Sequence, residues 1–127
     1  TYTLDNADIT VSAAVIQSGK KIYFKPDSKW ASSDAWFAIY DNNGNWYKMN
    51  SETGGYYSYT FTTNVTQVIF VRMKNTDKNT LNWSNKWNQQ PSSGFITIPT
   101  DGKNCYVLNN CQDGQSWDNV GGSWTTK

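Results

Sequence analysis

Apolar residues in this chain fall in short runs of β-branched and aromatic types separated by turn chemistry, which is the pattern of strands. Residues 9–15 read as a first strand, with Gln17-Ser18-Gly19 as its exit. In 20–25, Ile22 and Phe24 share one face and Tyr23 takes the other, and Pro26 ends the run because proline cannot donate to a ladder. Residues 35–40 come next, followed by Asp41-Asn42-Asn43-Gly44, which tolerate left-handed turn geometry. Residues 45–49 return as the second arm of that hairpin. Gly54-Gly55 precedes a strand over 56–61, and 67–73 is the most apolar run. Strands over 95–98 and 105–108 flank a turn at Asp101-Gly102. Short strands at this spacing predict an all-β fold, an antiparallel β-sandwich of immunoglobulin-like type.

Two stretches lack that pattern. Residues 74–90 are polar apart from Leu81, Trp83 and Trp87, and are expected to be a long loop, which in a compact domain is often functional. Residues 111–127 are Gly-, Ser- and Asn-rich and carry Trp117 and Trp124; they are expected to be a last strand or a linker. The organisation that follows is an N-terminal extension over 1–20 with a candidate strand, a sandwich over 21–110, and the 111–127 tail.

Composition narrows the class. The chain has 127 residues, enough for one domain with its own core. With few Leu and a single Glu, long helices are not expected. Trp and Tyr, 7 and 8 in number, make the core aromatic and β-branched. No apolar run approaches the ~20 residues of a membrane span, so no membrane insertion is expected. The net charge of +1 argues against a duplex nucleic-acid binder, which needs a basic face. The absence of His excludes Ser-His-Asp and Cys-His catalysis and imidazole-bound zinc. A single Glu beside abundant Asn, Thr and Ser suits an exported protein. In that compartment Cys105 and Cys111 are expected to form a disulfide closing a small loop; in a reducing one they would be two thiols. No signal-peptide pattern stands at Thr1, so a mature form or a module of a larger protein is expected.

Candidate chemistry starts with carboxylates. Glycoside hydrolysis without His needs two acids about 5–9.5 Å apart. Asp27, Asp41, Asp101, Asp113 and Glu52 all sit in turn contexts, none in a recognisable pair, and no enzyme is expected. Asp41, Asn43 and Asn45 alternate ahead of Glu52, superficially like a calcium loop. Trp46 occupies the place where such a loop needs Gly, and the stretch already reads as a hairpin, so no metal or other cofactor is expected.

The aromatics remain. Strand parity that turns Phe37 and Ile39 inward throws Trp36, Ala38 and Tyr40 outward, and turning Tyr47 and Met49 inward throws Trp46 and Lys48 outward. The hairpin then sets Tyr40 beside Trp46, with Trp36 further along the same face. Trp83 and Trp87 lie in an Asn-Trp-Ser-Asn-Lys-Trp-Asn-Gln run, Trp87 being the more suited to plugging the loop from beneath. An exposed indole stacks on the C–H face of a pyranose, and side-chain amides bond its hydroxyl rim, with no charge required. These residues by themselves point to a neutral glycan.

The ordered set Ile-Tyr-Phe-Lys at 22–25, Ala-Trp-Phe-Ala-Ile-Tyr at 35–40, Trp46 with Met49, Val-Ile-Phe-Val-Arg-Met at 68–73, the run at 82–89 and Ile98-Pro99 resembles a known family. These are the starch-binding carbohydrate-binding modules of bacterial amylases, of the family 25 and 26 type. The resemblance covers about 21–108 and implies a non-catalytic sandwich. Such a module holds α-1,4-glucan (starch, amylopectin, maltooligosaccharides) for an attached enzyme or a cell surface, in a secreted or bacterial surface protein. It implies a sugar platform of Trp36, Trp46 and Trp83, with Asn85 as a hydrogen-bonding partner; Tyr40, set beside Trp46 by the hairpin, is counted with them. Some members carry a His near Ala38 or Ile39. This chain has none, so one hydrogen bond to the sugar is expected to be either missing or supplied by Lys48 or Gln89. Two other readings stand beside this one: a structural or adhesion sandwich that uses its Trp in the core, and a single-stranded nucleic-acid binder that stacks bases.

Overall fold

The computed structural model describes residues 19–127, and the strand expected at 9–15 lies outside them. The chain is an all-β sandwich of two sheets. Its strands are β1 (Lys21–Lys25), β2 (Trp36–Asp41), β3 (Trp46–Lys48), β4 (Asn50–Glu52), β5 (Tyr56–Thr60), β6 (Gln67–Met73), β7 (Lys86–Gln90), β8 (Ile96–Thr97), β9 (Cys105–Leu108) and β10 (Gly122–Thr125). One sheet runs β10-β9-β1-β5-β4; the other runs β3-β2-β6-β7, with β8 also on β6. Among the described residues pairing is antiparallel, as expected, except where β1 lies parallel to β9.

Period-two alternation builds the core. Ile22 and Phe24 of β1, Phe37 and Ile39 of β2, Val68 and Phe70 of β6, and Tyr106 and Leu108 of β9 form the buried layer between the sheets. Phe70 is held between Phe24 (4.5 Å, near-parallel at 9°) and Tyr106 (5.4 Å, 17°), so it ties one sheet to the other. Deleting its ring would cost about 3–5 kcal/mol. Trp30, in the turn-rich segment after β1, is fully buried beside Phe24 and donates its indole N–H to the Trp117 carbonyl at 3.0 Å. Asp27 fixes that segment by accepting from the backbone N–H of Trp30 (2.9 Å) and of Cys111 (2.7 Å).

Two expectations are corrected here. The 74–90 stretch is not one loop: Trp83–Asn85 is a 3-10 turn and Lys86–Gln90 is strand β7, paired to β6. Its Lys-Trp-Asn-Gln-Gln sequence carries no apolar alternation, and the free edge of β6 is what makes it a strand. Cys105 and Cys111 are both free, buried thiols rather than a disulfide. Cys111 packs into the intersheet core with Tyr106 and Leu108. Alternation along β9 turns Cys105 to the other face, so the sheet separates the two sulfurs. Burial pushes the Cys105 thiol pKa above its ordinary value, which keeps it protonated and unreactive. The tail supplies β10, whose Trp124 packs edge-on to Tyr106 at 5.3 Å.

Candidate functional site

The outer face of the β3-β2-β6-β7 sheet carries a second apolar layer. Trp36, Ala38, Ile69, Val71 and Met73 are buried there, with Tyr40, Trp46 and Leu81 packed against them. Parity therefore places Trp36, Ala38 and Tyr40 on the face expected. Trp36, however, is 7% exposed and offers no free ring face. The chain after β6 folds back over it: its indole N–H donates to the carbonyls of Lys74 (2.8 Å) and Asp77 (3.2 Å), and the Lys48 ammonium lies 4.9 Å from its ring.

At the other end of β2 the face stays open. Tyr40 lies opposite Trp46 in the β2–β3 register. The hairpin that pairs them is locked by Asp41, which is fully buried. Its Oδ1 accepts from the backbone N–H of Asn43 (2.8 Å) and Asn45 (2.9 Å), and its Oδ2 from the Tyr47 hydroxyl (2.7 Å). Burial first, then this bond to Asp41, raises the Tyr47 pKa above its ordinary value. Gly44 takes the left-handed conformation (φ 84°) that the turn requires. Asp41 is thus a turn anchor, and Glu52, at the far end of the calcium-like run, accepts from Ser58 and pairs with Lys21.

Trp83 completes the group from the far loop. Tyr40, Trp46 and Trp83 meet with ring centroids 4.6–5.1 Å apart and planes inclined by 60–64°. Phe95, in the turn before β8, stacks on Tyr40 at 6.2 Å and 21°. Trp83 and Phe95 are the exposed members, at 36% and 39%, while Tyr40 and Trp46 are half-buried. The rings form stepped walls, not a flat strip. From sequence, Phe95 reads as the first residue of a strand over 95–98 and not as a member of this cluster. The Ser-Ser-Gly ahead of it was the signal that it sits in a turn.

The polar residues expected at the rim are engaged within the protein. Asn85 donates its amide to the carbonyls of Asp77 (2.8 Å) and Thr80 (3.0 Å), and its backbone N–H bonds to the Asn82 side chain (2.9 Å). It therefore shapes the loop that presents Trp83. Lys48 donates to the Lys78 carbonyl at 2.7 Å, and Gln89 to the Pro91 carbonyl at 3.1 Å. Trp87 lies elsewhere, half-buried against Arg72 with 4.5 Å between the guanidinium carbon and the ring.

Comparison with protein-family models, with curated proteins and with solved structures returns no significant match.

Proposed function

We propose that this domain is a non-catalytic glycan-binding module for α-1,4-glucan such as starch or maltooligosaccharides, held at the ring cluster of Tyr40, Trp46, Trp83 and Phe95. The observation that carries this reading is the meeting of three rings at about 60° with an exposed indole and an exposed phenyl at the rim. Aromatic faces stack on the apolar faces of pyranoses. Coplanar rings would suit a flat glucan such as cellulose; inclined walls suit a chain that curls. The near-neutral chain fits an uncharged ligand. As such a module it would tether a larger secreted or bacterial cell-surface protein, for instance an attached enzyme, to starch.

The decisive experiment is affinity electrophoresis in gels containing amylopectin, cellulose or nothing, followed by calorimetry with maltoheptaose. Retardation by amylopectin alone supports the reading; no retardation in either polysaccharide ends it. A shallow site of this kind should bind with a Kd on the order of 10 μM to 1 mM. Trp83→Ala should weaken binding roughly 5- to 30-fold, about 1–2 kcal/mol for one stacked ring. Salt should change the affinity little. The second reading, a structural or adhesion sandwich, is favoured by one observation: Asn85, Lys48 and Gln89 spend hydrogen bonds on their own chain. Under it, Trp fluorescence would not respond to maltoheptaose.

A further inference from the structure

Arg72 is a buried cation, 5% exposed, near the end of β6 away from the ring cluster. Its Nε donates to the Trp30 carbonyl (2.7 Å), one terminal nitrogen to Asn88 Oδ1 (3.1 Å) and the other to the Ser32 carbonyl (3.0 Å). All of these acceptors, and the Ser32 Oγ at 3.5 Å as a fourth, are neutral. Among the described residues no carboxylate lies within ion-pair distance of it. Asp27 acts on it only at longer range, with both oxygens already bonded to backbone N–H groups. A guanidinium stays protonated at neutral pH, so its charge is left without a formal counter-charge.

The guanidinium is flanked by two indoles, with Trp87 at 4.5 Å and Trp117 at 4.8 Å. Trp87 is placed there by a bulge: Met73 pairs with Lys86 and Arg72 with Asn88, which leaves Trp87 as the extra residue. Beside this stack opens a cleft of about 340 Å³ lined by Ser33, Arg72, Trp87, Asn88 and Trp117. Its unused groups are donors. The Asn88 amide nitrogen, the Ser33 hydroxyl and both indole N–H groups donate to no described residue. The cleft therefore combines an uncompensated positive charge, free donors and two aromatic walls, with no acid in its lining.

We propose that this cleft is a second binding site, which takes a single acidic sugar residue, its carboxylate directed to Arg72 and Asn88 and its ring set against Trp87 and Trp117. The charge calls for an anion, and charge-assisted bonds from arginine to carboxylate are the strong ones. The indoles and the amide call for a pyranose body. Five lining residues with two indole walls offer contacts for about one ring. The site is separate from the ring cluster and does not depend on the glucan reading.

The test is titration of isotopically labelled protein, following the indole N–H signals and the arginine Nε–H signal by NMR. The probes are methyl glucuronide, methyl glucoside and sodium acetate. Methyl glucuronide should shift the Trp87, Trp117 and Arg72 signals saturably at roughly 1–10 mM. The glucoside and acetate should each be at least about tenfold weaker, because each lacks half of the recognised chemistry. Asn88→Asp puts a carboxylate beside Arg72 with little change of shape and should weaken glucuronide binding by about tenfold or more. Ser33→Asp adds a carboxylate to the lining from an exposed position whose φ of 61° aspartate tolerates, and should likewise weaken glucuronide binding; it serves should Asn88→Asp not fold. Maltoheptaose, followed at Trp83, reports the ring cluster separately. No shift with glucuronide, equal shifts with acetate or with the glucoside, or wild-type glucuronide affinity in the folded variants would overturn the proposal.

Discussion

Asn85 tests whether the loop residue matters through the sugar or through the protein. Its amide nitrogen donates to the Asp77 and Thr80 carbonyls at 2.8 and 3.0 Å, and its backbone carbonyl accepts from Lys74 N–H at 2.9 Å. Asn85→Ala removes the two amide bonds and leaves the backbone bond in place. At about 0.5–1.5 kcal/mol each, and with water able to reach both carbonyls, the loss should be about 1–2 kcal/mol of loop order. That cost is met again on binding if Trp83 must be held in place, so maltoheptaose affinity should fall about 5- to 30-fold. Asn85→Asp is the sharper variant. It keeps the side-chain oxygen that a sugar hydroxyl could reach, loses both donors, and sets a negative charge against two carbonyl oxygens. Loop positioning predicts that Asp is at least as damaging as Ala; direct bonding of the sugar through Oδ1 predicts that Asp is close to wild type. Calorimetry measures the affinity, and amide exchange at Lys74 and Asn85 measures the loop. Near-wild-type affinity in Asn85→Asp, with unchanged exchange, would refute the positioning role.

Gly122→Ala should destabilise the domain by about 1–3 kcal/mol, seen as a lower melting temperature. An added Cβ would lie 2.5 Å from the Val107 carbonyl and 2.7 Å from the Tyr106 ring. Native protein should resist alkylation, and denatured protein should take up label at both Cys105 and Cys111; mass spectrometry finding a bridge would contradict the two-face arrangement. Glu52 is held below the ordinary carboxylate range, first by the Ser58 hydroxyl and then by Lys21, and Asp77 first by the Thr80 hydroxyl and then by the Asn79 N–H. A lowered folded pKa gives stability that is complete above the ordinary value and lost as pH falls through the folded one. Melting temperature should therefore hold from neutral pH to about 5 and fall below about 4, less steeply in Glu52→Gln. Trp36→Ala should lower stability, since its ring is buried and its N–H closes the loop after β6, and thermal melts measure this directly.

Local chemistry is what the sequence determined. Alternation set which side of β1 and β2 faces the core, because adjacent residues on an extended chain point to opposite faces whatever their partners, whereas β6 is apolar on both faces and its sequence does not choose between them. The turn residues after β2 set the hairpin, and with it the pairing of Tyr40 with Trp46, because a short turn fixes its own register. Everything that depends on which distant segment arrives next was decided by tertiary structure. β7 is a strand only because β6 offers it an edge. Trp36 is covered and Tyr40 left open because the chain after β6 returns over one end of the face and not the other. Trp30 is core because β1 and the tail close on it, and Trp83 and Phe95 join Tyr40 from loops about forty and fifty residues away in sequence. The cysteines stand close along the chain yet on opposite faces of a sheet, a distinction that spacing does not carry. Arg72 shows the same limit most plainly. In sequence it is one charge in an apolar run, and only the meeting of β6, β7 and the Trp117 turn turns it into a cation flanked by two indoles. Such long-range pairings draw their energy from surfaces that exist only once the sheets have assembled, and a window of sequence contains no term for them.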